Sequence, residues 1–96
     1  MVSRPRPRIA AVGMASWDRT LVLDHFPTMG TFATVRAERE GLGGTTANLA
    51  VASARLRAHV SLASAVGDDA AGVAVRAALA AEDGVDSRWL LSLIHI

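Results

Sequence analysis

A carboxylate at Asp18, an amide at Asn48 and the glycine pair Gly43-Gly44 are the residues of this chain whose types suit a hydroxyl-bearing ligand. The stretch Gly43-Gly44-Thr45-Thr46-Ala47-Asn48-Leu49-Ala50 reads as a glycine-rich loop running into a helix. Glycine has no Cβ, so a ligand can approach its backbone closely. A helix start offers N–H groups that have no intrahelical partner. The Asn48 amide both donates and accepts, as a hydroxyl partner must, and the Asp18 carboxylate can accept from two neighbouring hydroxyls through charge-assisted bonds. Asp18, Gly44 and Asn48 are therefore expected to form a clamp for a polyol such as a sugar. A phosphate would want Lys or Arg at this loop, and neither is present; the spacing also fits neither a Walker A loop nor G-x-G-x-x-G. Plainer roles stay open: a simple loop for the glycines, a turn or cap for Asp18, a backbone bond for Asn48.

These residues need elements to position them. Arg8 to Gly13 is a short apolar run that suits a buried strand, and Met14 to Arg19 is read as the loop leaving it. Asp18 would then point into the crevice at the carboxyl end of a parallel strand. Thr20 to Asp24 predicts a second strand, and Phe26 to Gly30 a turn. Thr31 to Glu40 alternates as a solvent-facing strand, and Gly41 to Gly44 is a flexible loop. Thr45 to Leu56 predicts a helix capped by Thr45 or Thr46, with Leu49, Ala52, Ser53 and Leu56 inward. His59 to Val66 suits a central strand. Ala70 to Glu82 predicts a second helix with Val73, Ala77, Leu79 and Ala80 inward, its positive end stabilised by Asp68 and Asp69. Asp83 to Asp86 is a turn, and Arg88-Trp89-Leu90 opens a further strand. Strands alternating with helices predict an α/β fold with a parallel sheet flanked by helices. The polar pair at 20–40 is expected to project from the sheet edge as a flap.

The chain has 96 residues, of which 51% are hydrophobic and 20% charged, enough for one small domain and not the composition of a disordered chain. Ten basic residues, all Arg, against nine acidic ones leave a charge of +1 and give no case for a nucleic-acid partner. There is no cysteine. His25, His59 and His95 share no ligand-like spacing, so no metal site is expected from them. Residues 1–8 (MVSRPRPR) are read as a disordered basic leader, since alternating Pro and Arg cannot hold a helix. No run is long enough for a signal peptide or a membrane span, which predicts a cytoplasmic protein without a membrane partner. The tail Leu91-Ser92-Leu93-Ile94-His95-Ile96 departs in composition from the Arg/Ala-rich body, where Ile9 is the sole isoleucine before it. It resembles a translated sequencing adapter, so residues 91–96 are expected to be non-native and 9–90 to be the N-terminal part of a domain.

Gly43, Gly44, Asn48, Ala50 and Gly67, together with Val12-Gly13 followed by Asp18, Phe26-Pro27 with Gly30, and Gly67-Asp68-Asp69 with Gly72, resemble the N-terminal part of the ribokinase-like, or PfkB-type, carbohydrate kinases. The resemblance covers about Ile9 to Leu90. It implies a ribokinase-like fold with a small β lid at about 20–40, and sugar hydroxyls bound by Asp18, Gly43, Gly44, Thr45 and Asn48. It also implies phosphoryl transfer from ATP with Mg²⁺ to a sugar hydroxyl in the full-length enzyme, and a homodimer formed through the lid strands. A nucleoside acceptor is the alternative within the family, and a non-catalytic association module the alternative outside it. The family's catalytic Asp lies in a Gly-Ala-Gly-Asp motif that these residues do not contain, so no catalytic residue, cofactor site or turnover is expected of this segment alone. Three positions depart from the family pattern. Thr46 stands where a Gly, Ala or Pro is preferred, and Ser16 where many members have Asn near the sugar. Arg57 stands where a Gly or Ser often turns left-handed after the helix.

Overall fold

The computed structural model describes residues 4–93. Five strands and two helices follow in the order β1 (Arg8–Val12), β2 (Ser16–Leu23), β3 (Val35–Gly43), α1 (Thr45–Arg55), β4 (His59–Gly67), α2 (Ala70–Ala80) and β5 (Val85–Leu93). A three-stranded sheet has the order β1-β4-β5, with both pairs parallel, and β2 and β3 form a separate antiparallel ribbon. This is the expected α/β arrangement, with β4 central and a two-stranded flap outside the sheet.

Both crossovers step the same way across the sheet, from β1 to β4 to β5. Right-handed connections then put both helices on one face. Burial follows that rule. Ala11, Val60, Leu62 and Leu90 are buried with Ala47, Ala50 and Ala54 of α1 and Val75 and Leu79 of α2. On the alternate positions Val12, Ala63 and Trp89 pair across the three strands, and Val12 and Trp89 are exposed. Alanine dominates the layer between α1 and the sheet, which lets the helix lie close. Leu62 and Leu79, both fully buried, each contribute roughly 1.5–3 kcal/mol of transfer free energy.

The helices present other faces than their patterns predicted. Leu49 and Leu56 of the α1 segment are exposed, and Val73, Ala77 and Ala80 of α2 are exposed too, while Leu79 is inward as expected. In alanine-rich helices nearly every face is apolar, so hydrophobic contrast does not fix rotation; close contact with the sheet selects Ala47, Ala50 and Ala54. The helices end at Arg55 and Ala80, slightly short of their predicted ends.

Strand limits shift as well. Residues 16–19 belong to β2 rather than to a loop, and Gly41 to Gly43 belong to β3, because the ribbon ladder runs on to Ser16 opposite Gly43. Strand β5 begins at Val85, inside the predicted turn, and pairs Leu91, Ser92 and Leu93 with Ala65, Val66 and Gly67. The set-apart tail thus enters the sheet as far as Leu93, and residues 94–96 lie outside the described ones. The leader is tied down from Arg6 onward. Arg6 Nε donates to the Arg57 carbonyl (2.9 Å), the His59 N–H donates to the Pro7 carbonyl (2.8 Å), and Arg8 opens β1. No described helix is long and apolar enough to cross a membrane.

Helix α1 ends in a Schellman motif. The Ala58 N–H donates to the Ser53 carbonyl (3.0 Å) and the Arg57 N–H to the Ala54 carbonyl (2.9 Å). Arg57 occupies the left-handed position, with φ 78°, and no other described non-glycine residue has positive φ. Its Cβ makes that conformation cost about 1 kcal/mol more than glycine would. Arg57→Gly is therefore expected to stabilise the protein by about 1 kcal/mol, seen as a rise in the urea midpoint at constant slope. An unchanged midpoint would show that the cost is met elsewhere.

Candidate functional site

The ribbon and α1 meet at the carboxyl end of β1. Chain leaving β1 passes Gly13 and Met14 into β2, and the Met14 carbonyl accepts from the Ala47 N–H in the first turn of α1 (3.2 Å). Gly44 is the N-cap residue, with φ 92° and ψ 138°, and no side chain caps the helix. Neither Thr45 nor Thr46 serves as the cap; Thr46 instead packs against Gly13. The first intrahelical bond runs from the Asn48 N–H to the Gly44 carbonyl (3.0 Å), and the N–H groups of Thr45 and Thr46 have no acceptor among the described residues.

Asp18 is the third residue of β2, paired with Gly41, rather than a loop residue beyond β1. It nonetheless reaches the glycine loop. Its carboxyl group lies so close over Gly43 that a Cβ there would overlap it. The Ser16 hydroxyl donates to Asp18 Oδ1 (2.8 Å), and Oδ2 has no hydrogen-bond partner among the described residues. Ser16 and Asp18 share one face of β2, and their cross-strand neighbours are Gly43 and Gly41. The β3 residues directly opposite this pair therefore bring no side chain over the carboxylate.

Of the residues singled out in the sequence, Asp18 and Gly43 are in contact, Gly44 and Thr45 follow directly, and Asn48 lies in the first turn of α1. Asn48 is exposed, and its side chain makes no hydrogen bond to a described residue. Sequence reasoning treated Ser16 only as a departure from the family pattern. The signal for its bond was the Ser-x-Asp spacing, which puts two side chains on one strand face; recognising it required a strand at 16–19.

A cleft of about 210 Å³ lies beside Ser16, between β2 and the start of α2, lined also by Trp17, Gly67, Asp69, Gly72 and Val75. Here Asp69 caps α2, accepting from the Gly72 N–H (2.8 Å), as expected of an Asp at that position. A Cβ at Gly72 would overlap the Gly67 carbonyl, so the glycines that match the family pattern serve helix-to-strand contact. A larger cleft of about 440 Å³ lies at the opposite end of the sheet, where β1, β4 and β5 begin, among Arg8, His59, Ser61, Asp86 and Arg88. It is remote from the glycine loop.

The site's charge balance favours neutral hydroxyls. No Arg or Lys occurs from 41 to 54, and the Asp18 carboxylate faces the loop that precedes α1. The ribbon's ion pair, Arg19 with Glu38, lies out on the exposed strands; hydrogen bonding to the guanidinium holds Glu38 below the usual carboxylate range. Such exposed pairs contribute little to stability. Among the described residues, no three His, Cys, Asp or Glu side chains group as metal ligands.

Beyond the ribbon's paired strands, the segment from Asp24 to Thr34 closes on itself. Asp24 and Thr34 bond through backbone (3.0 Å) and through the Asp24 carboxylate (3.1 Å). Phe26, Met29 and Phe32 in that segment are almost wholly exposed.

The chain is similar to known kinases over most of its length. It is 39% identical over 69 residues to an ATP-dependent ribose-1-phosphate kinase of Halopiger xanaduensis, covering 72% of this chain and 23% of that protein. It is 37% identical over 78 residues to a nucleoside kinase of Methanothermobacter thermautotrophicus, covering 81% of this chain and 25% of that one. Its fold superposes on the ribokinase of Cryptococcus neoformans, solved in complex with ADP, with a TM-score of 0.74, 30% identity, and coverage of 92% of this chain and 27% of that chain. The chain thus spans about a quarter of the length of the relatives it matches. The family described as "pfkB family carbohydrate kinase" matches residues 6–92, which takes in both helices and every described strand except the last residue of β5. By that match, the chain belongs to the pfkB family of carbohydrate kinases.

Proposed function

We propose that these residues form the acceptor side of a kinase that, in the complete protein, transfers a phosphoryl group from MgATP to a hydroxyl of a sugar or nucleoside. The observation that carries the reading is the Asp18 carboxylate seated on Gly43, directly ahead of an uncapped helix whose first turn bears Asn48. In this reading Asp18 Oδ2 accepts from an acceptor hydroxyl, and the free N–H groups of Thr45 and Thr46 donate to hydroxyl oxygens. The bare backbone of Gly43 and Gly44 lets the sugar ring close on them, and the Asn48 amide bonds a further hydroxyl. The ribbon of β2 and β3 acts as the lid that excludes water.

The described residues do not fit the phosphoryl donor. The loop carries no cation for a triphosphate and faces a carboxylate instead, and no described cluster suits a divalent ion. ATP and Mg²⁺ belong, in this reading, to the remainder of the domain.

A nucleoside acceptor is favoured by one observation, the exposure of Phe26 (91%) and Phe32 (93%) at the lid tip, where an aromatic ring can stack on a base. The same exposed ribbon supports pairing with a second copy through the lid. The test is phosphorylation by the full-length protein of a panel of pentoses, hexoses and nucleosides, with MgATP and product detection. Product from any member supports the acceptor reading, and a preference for nucleosides selects the second form. ATP-dependent product from none of them overturns it.

A further inference from the structure

We propose that Ser16 is the positioning residue of the acceptor site. By donating its hydroxyl proton to Asp18 Oδ1, it holds the carboxylate over Gly43, so that only Oδ2 and the lone pairs of Ser16 Oγ face the ligand. The inference rests on the acceptor reading above and deepens it. Three observations carry it. The Ser16 Oγ to Asp18 Oδ1 distance is 2.8 Å, and no other hydrogen bond to the Asp18 side chain exists among the described residues. The two residues are two apart on one strand, so their side chains share a face. Their cross-strand neighbours are Gly43 and Gly41, so neither directly opposed residue of β3 has a side chain that could hold the carboxylate in Ser16's place.

The chemical consequence is a restriction on the ligand. An ionised carboxylate is acceptor-only, and a serine that has given its proton to that carboxylate also faces the ligand as an acceptor. The pair therefore binds groups that bring their own hydrogens, which means hydroxyls. It repels a phosphate or carboxylate, so a sugar phosphate could enter only with its charged group away from β2. An unanchored Asp18 would sample other rotamers and lose part of its affinity to the cost of being ordered on binding.

The experiment is a double-mutant cycle in the full-length enzyme, using the best acceptor from the panel above. Ser16→Ala is expected to raise the acceptor KM about 10-fold, as loss of a hydrogen bond to a charged group does, with the KM for ATP unchanged. Ser16→Thr, which keeps the hydroxyl, should restore the acceptor KM to within about 3-fold of the parent. On an Asp18→Asn background the Ser16→Ala change should have little further effect, because the two side chains act as one unit. Thermal melting of each variant separates lost folding from lost positioning, and Ser16→Thr keeps the test alive if Ser16→Ala folds poorly. An unchanged acceptor KM in Ser16→Ala, failure of Ser16→Thr to rescue, or an equal penalty with and without Asp18 each overturns the proposal while leaving the kinase reading intact. A parent enzyme that phosphorylates no acceptor removes the functional reading and the Ser16 role together.

Discussion

On the proposed acceptor reading, replacing Asp18 by alanine in the full-length protein is expected to lower kcat/KM for the acceptor about 10- to 100-fold, the usual range for losing hydrogen bonds to a charged partner. The structure gives this substitution an unusual selectivity. Asp18 is exposed, and among the described residues its side chain bonds only to Ser16. Folding should therefore change little, and melting temperature is the control. Gly43→Ala provides an independent route to the same outcome. Its new Cβ would occupy the space now held by the Asp18 carboxyl group, and a short exposed side chain can swing aside at small cost. Gly43→Ala is thus expected to lose acceptor affinity by displacing the carboxylate, with the ATP KM unaffected in both variants. Parent-like acceptor kinetics in Asp18→Ala would mean that the carboxylate does not touch the acceptor.

Gly44→Ala is expected to act in the opposite register, on stability first. Gly44 has φ 92° with ψ 138°, a region open to glycine and strained for any L side chain. A Cβ there would lie 2.5 Å from the Met14 carbonyl oxygen and 3.0 Å from Ala15 Cα. Both are backbone atoms, which cannot rotate away. Adding about 1–2 kcal/mol for the conformation to about 1–3 kcal/mol for the overlap gives a loss of about 2–5 kcal/mol. That is a large share of a typical domain's stability. Denaturant unfolding of the full-length protein would read it as a lower midpoint. Neighbouring glycines thus separate by what they touch: Gly43 meets the movable Asp18 side chain, and Gly44 meets a fixed backbone. Equal unfolding midpoints for Gly43→Ala and Gly44→Ala would contradict that distinction.

Both helices lie on one side of the sheet, and Val12, Trp89 and Leu91 remain exposed on the other. In parallel sheets both faces are ordinarily covered.

Much of this molecule was legible in its sequence, because the signals were local. Glycine and apolar runs marked β1, β4 and both helices, and the alternation of strand and helix predicted a parallel sheet. Left-handed geometry at Arg57 followed from its place after a helix, and the Asp69 cap from an acidic residue ahead of an apolar segment. Asp18, Gly43, Gly44, Thr45 and Asn48 could be named as candidates because residue chemistry and glycine spacing are written in the chain. Pairing and rotation could not be named that way, since they depend on what lies opposite. The ribbon ladder drew residues 16–19 and 41–43 into strands despite their polar and glycine composition, since each added pair satisfies backbone groups that a loop would leave to water. Alanine-rich helices could not declare an inward face until the sheet chose one. The seat of the Asp18 carboxylate on Gly43, and the Ser16 bond that holds it, arose only when two distant segments met side by side.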